Sequence, residues 1–312
     1  MRKFILLLML FASIVSCGVE DIYQEPNIEQ FKLTSEFVVP VQSGYNTIVK
    51  YNGEVIYEGN VSTTIDIPKY SANTRAGLEW HFVPNNEESG IWHYQIVRYG
   101  VLMFEDVPGG DNDYNDFICF MKDQYQVNVN GFTGMIGTDG LEFSNLEIYP
   151  KAMGNSIPLS FGVEIVRIDN KEIIDDIIIY DNIRKEAFDN TTGFINTDTK
   201  VKPFELYNRN TSIFGGGKNK RYYPKDLDKN GFAINYYIIA NGVKYYTANS
   251  TKAQLTKNKT PYGLFIPNVM RFDYSSETVP IWEVYPNFKE WIKGVDINPF
   301  SVVNSEYLYN MH

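Results

Sequence analysis

The densest chemistry in the chain lies between Met103 and Phe117. There Met-Phe-Glu-Asp-Val-Pro-Gly-Gly-Asp-Asn-Asp-Tyr-Asn-Asp-Phe packs five carboxylates and two amides between strand-like runs. Hard cations such as Ca²⁺ take roughly six to eight oxygen ligands, which closely spaced acidic side chains and backbone carbonyls can supply from one loop. Asp111, Asp113 and Asn115 alternate, so a curled loop would point all three at one ion, with Glu105, Asp106 and Asp116 placed to complete the shell. The ion would offset a cluster of like charges that otherwise repel. The loop is not an EF-hand: its sixth position is Asp116, not Gly, and its twelfth is Lys122, not Glu. Asp and Asn also cap turns by bonding their own backbone. The residues leave Ca²⁺ binding and turn capping as two readings of the same segment.

Other candidate motifs are weaker. Asp226-Leu-Asp228-Lys-Asn230-Gly231 matches the first half of an EF-hand loop, but Tyr237 stands where the bidentate carboxylate belongs. Gly215-Gly-Gly217-Lys218 lacks both the upstream Gly and the Ser/Thr of a phosphate loop. His81 and His93 sit in the aromatic segments Trp80-His-Phe82 and Trp92-His-Tyr94, which reads as packing, and no Gly-x-Ser-x-Gly or His-Glu-x-x-His occurs. With 3 His and 2 Cys, the count leaves almost no room for a His/Cys zinc site or a disulfide scaffold. A formal net charge of −10 over 312 residues argues against nucleic acid as a partner.

The elements that must carry the loop read as mainly β, in antiparallel β-sandwich modules with few short helices. Asn52-Gly53, Asn130-Gly131 and Asn241-Gly242 each follow an apolar strand-like run, the signature of two-residue type I′ hairpins. Near the end, Ile281, Trp282, Tyr285, Phe288, Trp291 and Ile292 recur at helical spacing. Pro280 opens that stretch, Pro286 splits it and Gly294 closes it, and its apolar stripe is expected to pack as core. The polar stretch Pro84–Gly90 is the expected boundary between an N-terminal β-sandwich-like module, 29–90, and a larger β-rich domain, 91–297. Residues 298–312, without periodicity, are expected to form a loosely held tail.

The first residues give an address. Arg2 and Lys3 precede the apolar run Phe4–Val15, which is too short to span a bilayer and suits a signal-peptide core over 1–16. Ser16-Cys17 at its end resembles a bacterial lipobox, which implies acylation of Cys17 and a tether over 17–28. Cys119, in Phe117-Ile-Cys-Phe120, then reads as a small buried hydrophobe.

Phe104-Glu-Asp106 followed by Gly110-Asp-Asn-Asp-Tyr-Asn-Asp-Phe117 resembles the hallmark of the LruC-domain family of bacterial outer-membrane lipoproteins. The likeness continues in Phe214-Gly-Gly-Gly217, Arg221-Tyr-Tyr223 and Asn230-Gly-Phe-Ala-Ile234. It ends in Phe272-Asp-Tyr274, Glu277, Ile281, Tyr285-Pro-Asn-Phe288 and Trp291, so it spans about 95–297. It implies a lipid-anchored, Gram-negative envelope protein with a β-rich domain of no established activity.

The expected function is a non-enzymatic adhesin or binding module of the outer membrane, with surface exposure as one of two orientations, and a structural Ca²⁺. Its partners would be the membrane, through the anchor, and a glycan or an envelope protein. A carbohydrate-active enzyme using paired carboxylates and a structural envelope component without ligand are the alternatives. Cys17→Ala is expected to move the protein from the detergent phase to the aqueous phase on phase separation and to leave it without the acyl mass increment.

Overall fold

Alternation across the pleat assigns the apolar residues of this chain to layers. The computed structural model describes residues 27–309 except 71–76, 86–90, 107–109, 131–139, 155–156, 169, 197–203, 206–220 and 223–231. The fold is mostly antiparallel β-sheet with three short α-helices. The strands are β1 (Thr34–Val38), β2 (Tyr45–Tyr51), β3 (Glu54–Gly59), β4 (Thr64–Pro68), β5 (Leu78–Pro84), β6 (Ile91–Phe104), β7 (Phe117–Asn130) and β8 (Gly140–Met153). They continue as β9 (Leu159–Arg167), β10 (Ile173–Tyr180), β11 (Ile195–Asn196), β12 (Phe204–Glu205), β13 (Arg221–Tyr222), β14 (Phe232–Ala240), β15 (Val243–Tyr246) and β16 (Gly263–Pro267). The helices are α1 (Ile183–Ala187), α2 (Ile281–Val284) and α3 (Asn287–Ile292).

The largest sheet runs β11-β8-β7-β6-β3-β2-β5, with β16 also on β6 and β12 and β13 also on β8. A second sheet, β10-β9-β14-β15, lies against it, and β1-β4 forms a separate ribbon. Strands β6 and β7 pair in unbroken register from Ile91↔Asn130 to Phe104↔Phe117. Near the Phe104↔Phe117 end both faces of this pair are covered, which is why the sequence there is almost continuously apolar. Leu102, Phe104, Phe117, Cys119 and Met121 meet Phe161, Val163, Ile165, Ile234, Tyr236 and Ile238 of the second sheet. Val101, Met103 and Ile118 point the other way, with Leu264 and Ile266, toward Ile281, Val284, Phe288 and Trp291. The β1-β4 ribbon covers a third core around Val49, Tyr51, Tyr57 and Tyr99.

Two hairpins have the form the sequence predicts. Asn52 and Gly53 join β2 to β3, and Asn241 and Gly242 join β14 to β15, all four at positive φ. At Asn130-Gly131 the expected tight turn does not form: Asn128 pairs with Gly140, so the connection is longer, and Gly131 lies outside the described residues. Pro286 splits the C-terminal helix into α2 and α3, Gly294 follows at φ +91°, and the stripe is core, with Phe288 and Trp291 buried.

Two observations bear on the expected boundaries. The polar stretch 84–90 does not separate two sheets, because Tyr57, Glu58 and Gly59 of β3 pair with Ile96, Gln95 and Tyr94 of β6. Nor is the C-terminal stretch loosely held through residue 309. Asn304 N donates to Val284 O at 2.7 Å, Ser276 N to Tyr307 O at 3.0 Å and Tyr309 N to Tyr274 O at 3.1 Å. Leu308 and Tyr309 also pack on the helical layer, a docking through single residues that leaves no periodic trace. Residues 1–26, including Cys17, lie outside the described residues, as do Asp226–Gly231 and Phe214–Lys218.

Phe161 sits fully buried where the two sheets meet, its ring near those of Phe104, Phe117 and Tyr236. Phe161→Ala is expected to cost about 3–5 kcal/mol in chemical denaturation. Val302→Ala, at an exposed position, should stay within about 0.5 kcal/mol.

Candidate metal centre

The acidic loop closes β6 onto β7 just beyond the Phe104↔Phe117 pair. Its shape is set by a buried aromatic anchor and by backbone N–H groups bonding to its own carboxylates. Tyr114 is fully buried, packs its ring 5.9 Å from Phe288 and donates its hydroxyl to Pro261 O at 2.5 Å. Asn112 and Tyr114 take left-handed φ of +62° and +58°, uncommon outside glycine and tolerated here because tertiary bonds fix the loop. Asn112 O accepts from Ile281 N at 2.8 Å, and Glu105 N donates to Tyr262 O at 2.8 Å.

The carboxylates fall into two groups. Ligand oxygens of Glu105, Asp111 and Asp113 lie within 4.8 Å of one another, two of these residues buried and Asp111 exposed. Glu105 Oε1 accepts from Tyr114 N at 2.6 Å. Asp113 accepts from Asn115 N at 3.1 Å and Thr278 N at 2.9 Å. Each oxygen keeps a lone pair for a cation. Asp106 and Asp116 form the second group: Asp116 Oδ2 accepts from Asp106 N at 2.8 Å, and the two carboxyls interact. Asn115 belongs to neither group. Its Nδ2 donates to Ser275 O at 3.4 Å, while its Oδ1 is buried without a hydrogen-bond partner.

This arrangement is electrostatically unbalanced. Burial, then the charges of Asp113, Asp111 and Asp106, raises Glu105 well above the usual carboxylate range. Asp113 is pushed up to about 7 by burial and then by Asp111, against the lowering effect of its two backbone donors. Asp116 is raised by burial, then by Glu105 and Asp106, and Asp106 by burial and then Asp111. No Lys, Arg or His forms an ion pair with any of them among the described residues.

Sequence reasoning missed the partners that come from far along the chain. Thr278 lies 165 residues from the Asp113 it bonds, and Tyr114 is the loop's anchor rather than a spacer. Glu277 belonged to the C-terminal resemblance pattern with no chemistry attached. Its carboxylate is also raised, by burial and then by Asp111 and Asp106, which places it beside the loop. Gly154 packs there too: its N–H donates to Asn115 O at 2.8 Å.

Residues 240–296 match a family described as a domain of unknown function (DUF4842), a segment that takes in β15, β16, α2, α3 and Glu277 but not the 105–116 loop. No curated protein matches the chain. A solved Bacteroides ovatus protein, described as a candidate lipoprotein, aligns over 86% of this chain and 94% of its own, with 15% identity and a TM-score of 0.40. None of these comparisons names the LruC family. No helix among the described residues is long and apolar enough to cross a membrane.

The pH dependence of the metal-free protein follows from Asp113. In the unfolded chain an Asp releases its proton near pH 4, whereas the folded protein holds this one to about pH 7. The folded state therefore binds more protons across that window, and stability falls as pH rises through it. Melts in chelator are expected to show the midpoint declining from about pH 5 to about pH 7, and Asp113→Asn, which cannot ionise, should make the decline shallower, the remainder coming from the raised Glu105, Asp106 and Asp116.

Proposed function

We propose that the protein is a lipid-anchored cell-envelope protein of the outer membrane that binds rather than catalyses, and that Ca²⁺ orders its 105–116 loop. One contrast carries the metal reading. Elsewhere the molecule neutralises its buried acids with cations. Asp123 is fully buried against Arg98, Nη2 to Oδ2 at 2.5 Å, with Tyr236 donating its hydroxyl at 2.7 Å. Glu164, 1% exposed, meets Lys244 and Lys252, both at 2.7 Å. Glu105 and Asp113 are buried as deeply, yet among the described residues they meet only backbone N–H donors and other acids, with no cationic side chain paired to them. A dense set of oxygen donors, carboxylate and amide, suits Ca²⁺. The ion's role would be to order the loop, so that β6 and β7 close in one geometry.

The anchor rests on the sequence around Cys17. A binding role finds support at the sheet edge. Trp80, 47% exposed, lies 5.3 Å from Phe82 on β5, and Phe82 lies 6.2 Å from Tyr45 on β2. The exposed indole of Trp80, backed by the half-buried Phe82 and Tyr45, offers a face for stacking a sugar ring. This favours a glycan as partner over a ligand-free structural role.

Calcium at about 100 times its Kd should add about 2.7 kcal/mol of stability over chelator, and Asp113→Asn should abolish that increment. Equal melting with Ca²⁺ and chelator would remove the metal claim. A glycan array read with wild type and Trp80→Ala tests the partner, since loss of signal only in the variant is the expected result.

A further inference from the structure

On the face of the large sheet that carries the helical layer, a cleft of about 360 Å³ opens between the sheet and the segment leading from β16 toward α2. Ligand clefts run from roughly 300 to 1,000 Å³, so this one has room for a small molecule. Val101 of β6 with Ile118 and Phe120 of β7 form its floor, since Val101 pairs with Phe120 and Ile118 lies two residues away on the same face. Met270, Arg271, Phe272 and Asp273 form a wall, steadied by Phe272, whose ring lies 5.4 Å from Tyr285 and 4.8 Å from Phe300. Lys151 of β8 arrives by a register shift: Ile118 pairs with Ala152 and Cys119 with Pro150, which leaves Lys151 as an extra residue. Such bulges re-aim a side chain, and this one lines the cleft with Asn196 of β11. Lys151 and Arg271 form no ion pair with a described residue, although acids outnumber bases 38 to 28 in this chain.

We propose that this cleft binds a sugar acid, its carboxylate held by Lys151 and Arg271, its hydroxyls by Asp273 and Asn196, and the C–H face of its ring by Phe120 and Phe272. Two cations against one acid suit a single carboxylate. A phosphate monoester carries roughly −1.5 to −2 charges, and Asp273 would repel the surplus. The apolar floor calls for a carbon skeleton rather than a bare ion. An ionised Asp273 can only accept hydrogen bonds, so it needs hydroxyl donors that a plain hydrocarbon acid lacks. Asn196 adds an amide whose Nδ2 is shielded from solvent and has no acceptor, so turning that N–H toward a bound oxygen gives up no bond it already makes. Met270, exposed beside Arg271, has the unbranched, adaptable side chain that can follow a ring's outline. The site uses none of the acidic loop and none of the β5 aromatics, so it stands independently of both readings above.

The test is calorimetric titration of the full chain with glucuronate, glucose and cyclohexanecarboxylate. Glucuronate should bind, and glucose, which lacks the carboxylate, should bind about tenfold or more weakly, the factor expected for a lost charge-assisted hydrogen bond. Lys151→Gln and Arg271→Gln should each weaken glucuronate by about the same factor and melt as wild type does, because neither cation is paired within the fold. Asp273→Ala should weaken glucuronate yet tighten cyclohexanecarboxylate, since it removes a hydroxyl acceptor and a repelling charge together. Trp80→Ala should bind glucuronate as wild type does. If glucuronate fails to bind, binds no better than glucose, or binds both Gln variants as tightly as wild type, the cleft reading is overturned. If Trp80→Ala alone abolishes binding, the acid sits on the β5 aromatics, and the cleft reading falls while the platform stands. Tighter binding of cyclohexanecarboxylate than of glucuronate by wild type would overturn the sugar as ligand.

Discussion

The antiparallel pairing of β6 with β7 decides most of what else the molecule can be. Both strands run fourteen residues, and the register holds without a bulge from Ile91↔Asn130 to Phe104↔Phe117. Because the Phe104↔Phe117 end is covered on one face by a second sheet and on the other by helices, no side chain there can reach water by turning over. The connection between the strands therefore starts and finishes in the core. Its polar groups must be satisfied by one another, by Pro261 and Thr278, or by something added from outside. The same confinement that makes the strands apolar makes the acids beside them costly to ionise.

That confinement also explains why the molecule treats its buried acids in two ways. Asp123 and Glu164 lie within strand-bearing regions where Arg98, Lys244 and Lys252 can be placed across the sheet. Among the described residues no Lys, Arg or His pairs with the loop acids, whose contacts come from the segment before α2, from Gly154 after β8 and from Tyr262 leading into β16. A metal cation or a proton from solution can neutralise these acids without needing a position in the sequence.

How much of this was legible beforehand depended on the range of the signal. The hairpins at Asn52-Gly53 and Asn241-Gly242 are encoded in two adjacent residues, and the C-terminal helices in a spacing of three and four with Pro286 marking the break. At Asn130-Gly131 the same dipeptide misled, because a local turn preference does not report where the partner strand begins. The polar stretch after Pro84 read as a boundary because nothing in it packs, yet Tyr57↔Ile96 pairing passes across it. The loop's composition announced a cluster of acids. What it did not announce was Thr278 on Asp113, 165 residues away, or Gly154 and Glu277 beside Asn115, since such meetings depend on the closed fold.

Cys119 gives the sandwich a clock. It is fully buried between the sheets near the start of β7, and burial raises its thiol well above the ordinary range, so in the closed state it offers neither access nor thiolate. The chain holds one other cysteine, Cys17, the residue proposed above to carry the lipid anchor. With that residue acylated, modification of Cys119 by a thiol reagent would count only the moments when the two sheets part. Wherever an oxidant is present, the same thiol makes the time spent open, rather than the strength of any one contact, the quantity that decides how long the protein survives unmodified.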